Sequence, residues 1–84
     1  MPHYFFDLDD GGLLHIAGTG HDFDDRAAAT RHAVQYLFES AADELRRNPV
    51  DRQLAVYVRS PAGERLLTTS LKFELTILAR DSLH

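Results

Sequence analysis

The stretch HYFFDLDDGGLLHIA (residues 3–17) decides the first half of the fold, because two apolar runs flank an Asp/Gly-rich centre. Aromatic residues make HYFFDL (3–8) typical of a strand, and LLHIA (13–17) has a similar apolar character. The DDGG between them is typical of a hairpin turn. We predict a three-residue loop over 10–12, in which a glycine takes the left-handed position that follows a type I turn.

The length of this loop sets the pairing register, because a slip of one residue exchanges the two faces of a strand. A three-residue loop pairs Leu8 with Leu14. It also places His15 opposite Asp7 on the outer face of the sheet, where we expect an exposed ion pair. The apolar face expected to enter the core carries Tyr4, Phe6, Leu8, Leu14 and Ile16.

A long amphipathic helix is predicted over about residues 24–47. Asp24 is the expected N-cap, and Asn48-Pro49 ends the helix because the residue before a proline avoids helical geometry. At about 100° per residue, the stripe expected to face the core comprises Ala27, Thr30, Val34, Leu37, Phe38, Ala41 and Leu45. A second stripe of mostly small residues, open to contact with a second copy, comprises Ala29, Ala33, Tyr36 and Ser40.

Two further runs with alternating character predict a second hairpin over about residues 52–78. They are RQLAVYVRS (52–60) and LLTTSLKFELTIL (66–78), and the latter alternates over its whole length. SPAGE (60–64) between them has Pro and Gly where a type I turn favours these residues.

The element order is therefore ββαββ in a single domain over residues 1–84, with a loose tail at 79–84. Isolated hairpins cannot bury their apolar faces alone. The expected fold is α+β, a four-stranded antiparallel sheet with one long helix packed on one face.

The predicted elements differ in length. The helix would run about 35 Å and the last strand about 40 Å, against about 20 Å for each of the first two strands. Such an overhang predicts a homodimer in which the long strand or the small-residue helix stripe meets its symmetry mate. A bent or interrupted last strand, a frayed helix end and alanines present for helix propensity are the alternative explanation.

The composition excludes several classes of protein. The chain has no cysteine, so it has neither a disulfide nor a thiolate zinc site. No apolar run reaches the roughly 18 residues of a spanning helix, and the opening residues lack the pattern of a secretory signal. We therefore expect a cytoplasmic protein without membrane contact. A net charge of −4 without a basic run argues against nucleic acid as a partner.

The acidic and histidine-rich segments complete no known site. A calcium loop starting at Asp7 would need ligands at its fifth and twelfth positions, where the chain has Gly11 and Gly18. The histidines show neither helical ligand spacing nor an H-E-x-x-H motif, and no serine lies in a nucleophile motif. We therefore predict no enzyme, no catalytic residue, no metal and no cofactor. Weak ion binding in DLDDGG (7–12) or HDFDD (21–25) stays an alternative, as does a metal-dependent or hydrolytic activity around Asp7, His15 and the His21-Asp22 region.

The outer face of the sheet, away from the helix, is the remaining candidate surface. Strand parity places Phe5 and Tyr57 there, and exposed apolar patches usually mark protein association. Exposed aromatic rings can also stack single-stranded bases, so a single-stranded nucleic-acid-binding module is the alternative function. The predicted interaction surface comprises Phe5, Tyr57, Ala29, Ala33 and Tyr36.

Three segments together resemble a group of small bacterial domains of unknown function that open M-P-x-Y-F-F-D. They are MPHYFFDLDDG (1–11), DDRAAATRHAV (24–34) and LAVYVRSPAGERLLTTSLKFEL (54–75), and the similarity covers nearly the whole chain. The resemblance implies a compact cytoplasmic bacterial domain and brings no catalytic or cofactor-binding residues. We expect a small non-enzymatic protein-interaction or regulatory module that acts as a homodimer, with or without a further protein partner.

Overall fold

The computed structural model describes residues 2–79, and the tail predicted at 79–84 lies outside them except for Ala79. Its elements are β1 (His3–Asp9), β2 (Leu14–His15), β3 (His21–Asp22), α1 (Arg26–Arg47), β4 (Arg52–Arg59) and β5 (Arg65–Phe73). The class is α+β, as predicted, because one helix packs on an antiparallel sheet.

The sheet of the described chain has five strands, and not the predicted four. The strand order is β2-β1-β4-β5, and β3 also pairs with β1. The fifth strand arises because the chain leaves the ladder after His15 and rejoins it at His21, opposite Tyr4. Residues 16–20, which we call the excursion, contain two residues more than a regular strand would need between Leu8 and Tyr4.

The first hairpin turns through a loop one residue longer than predicted. Leu8 pairs with His15 and not with Leu14, so the loop comprises residues 10–13. This slip turns the following apolar side chains away from the core. Leu14 is 38% exposed and Ile16 is 67% exposed, so their predicted place in the core was wrong.

Local contacts stabilise this longer loop. The carboxylate of Asp10 accepts hydrogen bonds from the backbone N–H groups of Gly12 and Leu13 at 3.2 and 3.0 Å. Gly11 has a φ of +96°, which strains any L side chain, and a Cβ there would lie 2.9 Å from the carbonyl oxygen of Gln53. The loop therefore needs glycine at this position on both counts.

The helix begins one residue later than predicted. The carboxylate of Asp25, and not that of Asp24, accepts the N–H of Ala28 at 2.8 Å and forms the N-cap. At the other end, the backbone N–H of Asn48 donates to the carbonyl of Glu44 at 2.9 Å, and the helix ends where the sequence predicted.

The helix rests on the sheet through mostly small side chains. Ala29 and Ala33 are completely buried, and Leu37 and Ala41 continue the same row at intervals of four residues. Methyl side chains allow the helix to approach the sheet closely, so this row faces the sheet. The buried stripe is thus rotated from the predicted one. Phe38 is 57% exposed, and its predicted place in the core was wrong.

The core lies between α1 and the inner face of the sheet, the face that the helix covers. Alternating residues of β1 and β4 fill it, which confirms the faces predicted for these two strands. The buried cluster comprises Tyr4, Phe6, Ala29, Ala33, Leu37, Ala41, Leu54, Val56 and Val58.

The second hairpin has the predicted turn but a shorter last strand. The N–H of Gly63 donates to the carbonyl of Ser60 at 2.9 Å, which confirms the turn. β5 ends at Phe73 because its ladder partner, Arg52, is the first residue of β4. Residues 74–78, which we call the overhang, therefore run past the end of β4, where the sequence predicted paired strand.

Candidate interaction surface

A buried carboxylate marks the outer face of the sheet. Asp7 is 3% exposed. Its oxygens accept hydrogen bonds from Nε and Nη2 of Arg59 at 2.9 and 3.3 Å, and from the N–H of Ala17 at 2.9 Å. Nη2 of Arg59 also donates to the carbonyl of Ala17 at 3.2 Å. One ion pair thus joins β1, β4 and the excursion.

These contacts hold Asp7 in its charged form. Burial raises the pKa of Asp7, but the hydrogen bonds from Arg59 and Ala17 and the positive charge of Arg59 outweigh burial and place this pKa below its ordinary value. The same contact raises the pKa of Arg59. A carboxylate held in this way is suited to fixing the structure and not to proton transfer near neutral pH.

Phe5 and Tyr57 lie half-buried on the outer face, where the sequence placed them. The guanidinium carbon of Arg59 lies 4.7 Å from the ring centroid of Phe5, and that of Arg65 lies 4.0 Å from the ring centroid of Tyr57. A cation therefore already covers one side of each ring.

The helix residues of the predicted contact surface lie elsewhere. Ala29 and Ala33 belong to the core, so their assignment to an exposed surface was wrong. Their small side chains serve close packing against the sheet. Tyr36 is half-buried, and it lines a cleft of about 230 Å³ together with Phe6 and His32 on the side of the first hairpin.

Two of the histidines, His15 and His3, form exposed pairs with single carboxylates. Because of the register slip, His15 lies 3.0 Å from Asp10, and the predicted pair with Asp7 is absent. Nδ1 of His3 lies 2.6 Å from a carboxylate oxygen of Asp22. In the described part of the chain, no three histidine or acidic side chains are grouped so that they could hold a metal ion.

The outer edge of β5 is unpartnered in the single chain. Within residues 2–79, β5 pairs with β4 on one side and with no strand on the other. The N–H of Leu75 donates to the carboxylate of Asp51 at 2.8 Å, which fixes the start of the overhang. Leu75 and Ile77 are 49% and 57% exposed, and they alternate with polar residues as in β5. The overhang thus has the pattern of a strand but pairs with no strand of the described chain.

One flank of α1 adds apolar side chains beside this edge. His32 and Tyr36 line the cleft toward the first hairpin, so the opposite flank of the helix, with Val34 and Phe38, lies toward β5. Val34 is 37% exposed and Phe38 is 57% exposed. We call this edge, the overhang and the flank the β5 surface, and its apolar residues are Val34, Phe38, Leu71, Phe73, Leu75 and Ile77.

Sequence reasoning found the overhang, through the mismatch of element lengths, but it missed the exposed flank. It chose the helix stripe with the bulkier residues as the core. The buried face of the helix could have been found from the row of Ala29, Ala33, Leu37 and Ala41. Small and apolar residues at i, i+4 spacing can pack closely on a sheet.

Comparison with known proteins identifies one family. A family model described as a domain of unknown function, DUF6894, matches residues 3–72. No curated protein and no solved structure matches the chain. Among the described residues, no helix has both the length and the apolar character needed to cross a membrane.

Proposed function

The chain belongs to the DUF6894 family, a domain of unknown function, and from this premise we propose that it is a small protein-association module that acts as a homodimer. The observation that carries the proposal is the overhang, which alternates like a strand beyond the end of its own sheet. A strand without a partner in its own chain presents backbone N–H and C=O groups to which a strand of another chain can pair.

The exposed apolar residues support the same function. Phe38 on the helix and Leu75 and Ile77 in the overhang are each about half exposed. Exposed large apolar side chains are a common feature of association sites on proteins.

The proposal includes no catalytic activity and places the module in the bacterial cytoplasm. Asp7, the buried carboxylate, is engaged by Arg59 and Ala17.

Sedimentation velocity over a range of protein concentrations tests the proposal. We expect a dimer whose population rises with concentration. The double variant Leu75→Asp, Ile77→Asp should sediment as a monomer that keeps the circular dichroism spectrum of the fold, because a charge is buried without a partner at the interface. Leu13→Asp is the matched control, since Leu13 is 62% exposed in the loop of the first hairpin. A wild-type protein that stays monomeric at the highest concentrations would contradict the proposal.

A second candidate function, binding of single-stranded nucleic acid, is favoured by one observation on the outer face. Arg65 stacks on Tyr57, and Asp7 is neutralised by Arg59, so the face is less acidic than its composition indicates. The net charge of −4 opposes this function. Fluorescence anisotropy with labelled oligonucleotides tests it: binding that weakens with salt and with Arg65→Ala would support it, and no binding at low salt would remove it.

A further inference from the structure

We propose that the β5 surface binds a second copy of the chain in one register, in which Phe73 of one protomer faces Phe73 of its partner. This inference rests on the proposed function and adds the pairing itself. The two copies run antiparallel over residues 69–77, so that two sheets join into one.

A twofold axis limits the registers that a dimer can adopt. Two copies of one edge strand that are related by a twofold axis perpendicular to the sheet pair in antiparallel fashion. Residues directly opposite each other then point to the same side of the sheet, and both helices cover the same face. One residue lies at the axis, opposite its own copy, and this residue defines the register.

Charge selects Phe73 as the residue at the axis. Lys72 and Glu74 flank it, and within one chain Nζ of Lys72 lies 3.1 Å from Oε1 of Glu74. With Phe73 at the axis, each Lys72 faces a Glu74 of the other copy, which gives two cross-strand ion pairs. An axis at either charged residue would oppose two like charges. An axis at Leu71 or Leu75 would place both charges opposite neutral residues.

The same register matches apolar residues on the inner face. Leu71 faces Leu75 of the other copy, and Thr69 faces Ile77. The exposed side chains of the overhang thereby leave water, which favours association. Phe38 lies on the helix flank above this edge, where the helix of the second copy limits its exposure.

In this register each overhang pairs with a strand of the other protomer, a neighbour that its own sheet does not provide. Residues 74–77 of one protomer pair with residues 69–72 of the other, and the paired segment is about 30 Å long. The backbone N–H and C=O groups of the free edge are then paired. A free edge would otherwise act as a template for uncontrolled strand addition.

Single cysteine variants report the register directly, because the chain has no cysteine of its own. Phe73→Cys places two thiols opposite each other at a Cα separation that a disulfide spans. Mild oxidation is expected to give a disulfide-linked dimer on a non-reducing gel. Thr69→Cys is the matched control, because its thiol lies about 27 Å from its own copy in this register, and it is expected to stay unlinked.

The outcomes separate this inference from the proposed function. Efficient cross-linking of Thr69→Cys or Leu71→Cys, or none of Phe73→Cys in a protein that still sediments as a dimer, would overturn the register and leave the dimer intact. A monomer in sedimentation would overturn both.

A charge exchange provides a second test that needs no cysteine. Lys72→Glu alone and Glu74→Lys alone each oppose like charges across the axis, and each is expected to raise the dimer Kd roughly tenfold. The double variant restores both ion pairs with the charges exchanged, so its Kd should return close to the wild-type value. A double variant that is no tighter than the single variants would contradict the register.

Discussion

Arg59 reaches Asp7 diagonally across two neighbouring strands. The ladder places Phe5 opposite Arg59 and Tyr57 opposite Asp7, yet Nε of Arg59 lies 2.9 Å from Oδ2 of Asp7. The same guanidinium group bonds the carbonyl of Ala17. The excursion between β2 and β3 is therefore fixed to the centre of the sheet by one side chain.

Replacement of this carboxylate should destabilise the domain in a pH-dependent way. We expect Asp7→Asn to lower the free energy of unfolding by about 2 kcal/mol at neutral pH, because the partly buried side chain of Arg59 loses its counterion. The pKa of Asp7 is lowered from 3.8 in the folded state. The stabilisation that the charged Asp7 gives the folded state is therefore present above about pH 4. It is lost as the pH falls through the lowered pKa of Asp7 in the folded state.

Urea denaturation of both proteins between pH 7 and pH 3 checks this prediction. The difference between wild type and variant should stay constant down to about pH 4 and then shrink. Asp24→Asn is the control, since Asp24 is exposed, and should show little difference throughout. A difference for Asp7→Asn that grows toward low pH would contradict the assigned ion pair.

The position of the helix cap gives a second prediction. Asp25→Ala should cost about 1 kcal/mol, because the N–H of Ala28 loses its acceptor. Asp24→Ala should change the stability by less than about 0.5 kcal/mol. Thermal unfolding of the two variants distinguishes them, and a larger loss for Asp24→Ala would place the cap one residue earlier.

The buried alanine row gives a third prediction. Ala33→Leu should destabilise the domain by about 1–3 kcal/mol, because Ala33 is completely buried and a larger side chain there overpacks the core. Ala42→Leu, at an exposed position of the same helix, should be nearly neutral. Chemical denaturation measures both. Equal tolerance of the two substitutions would show that Ala33 is not packed against the sheet.

The outer face provides a fourth prediction. Phe5→Glu and Tyr57→Glu should leave the sedimentation behaviour of the dimer unchanged, because these rings lie away from the β5 surface and beneath Arg59 and Arg65. A variant that remains folded by circular dichroism but becomes monomeric would instead assign the dimer contact to this face.

The alternation of apolar residues predicted most of the fold from sequence. It placed Leu54, Val56 and Val58 correctly, because a strand has only two faces and one of them was uniformly apolar. The turn beginning at Ser60 was also predicted correctly, because Pro61 and Gly63 stand where a type I turn favours these residues. These features depend on neighbouring residues alone.

The features that sequence misplaced depend on contacts between distant residues. The loop of the first hairpin is long enough for Asp10 to accept two N–H groups, and Asp7 then meets Arg59 in place of His15. Local pattern favoured the shorter loop, because that loop alone places Leu14 and Ile16 on the same face as Phe6. The exposed position of Phe38 likewise depends on how closely the alanine row of the helix approaches the sheet.

The Asp7–Arg59 contact also bears on how the chain folds, because it joins residues 52 positions apart. The β4–β5 hairpin and the helix form from local contacts, whereas closing so long a loop costs more entropy and slows folding. We expect β1 to join last, so Asp7→Asn should raise the unfolding rate and leave the folding rate nearly unchanged in stopped-flow measurements. During synthesis on the ribosome, β1 emerges before β4 and has only the short partners β2 and β3 until β4 has been made.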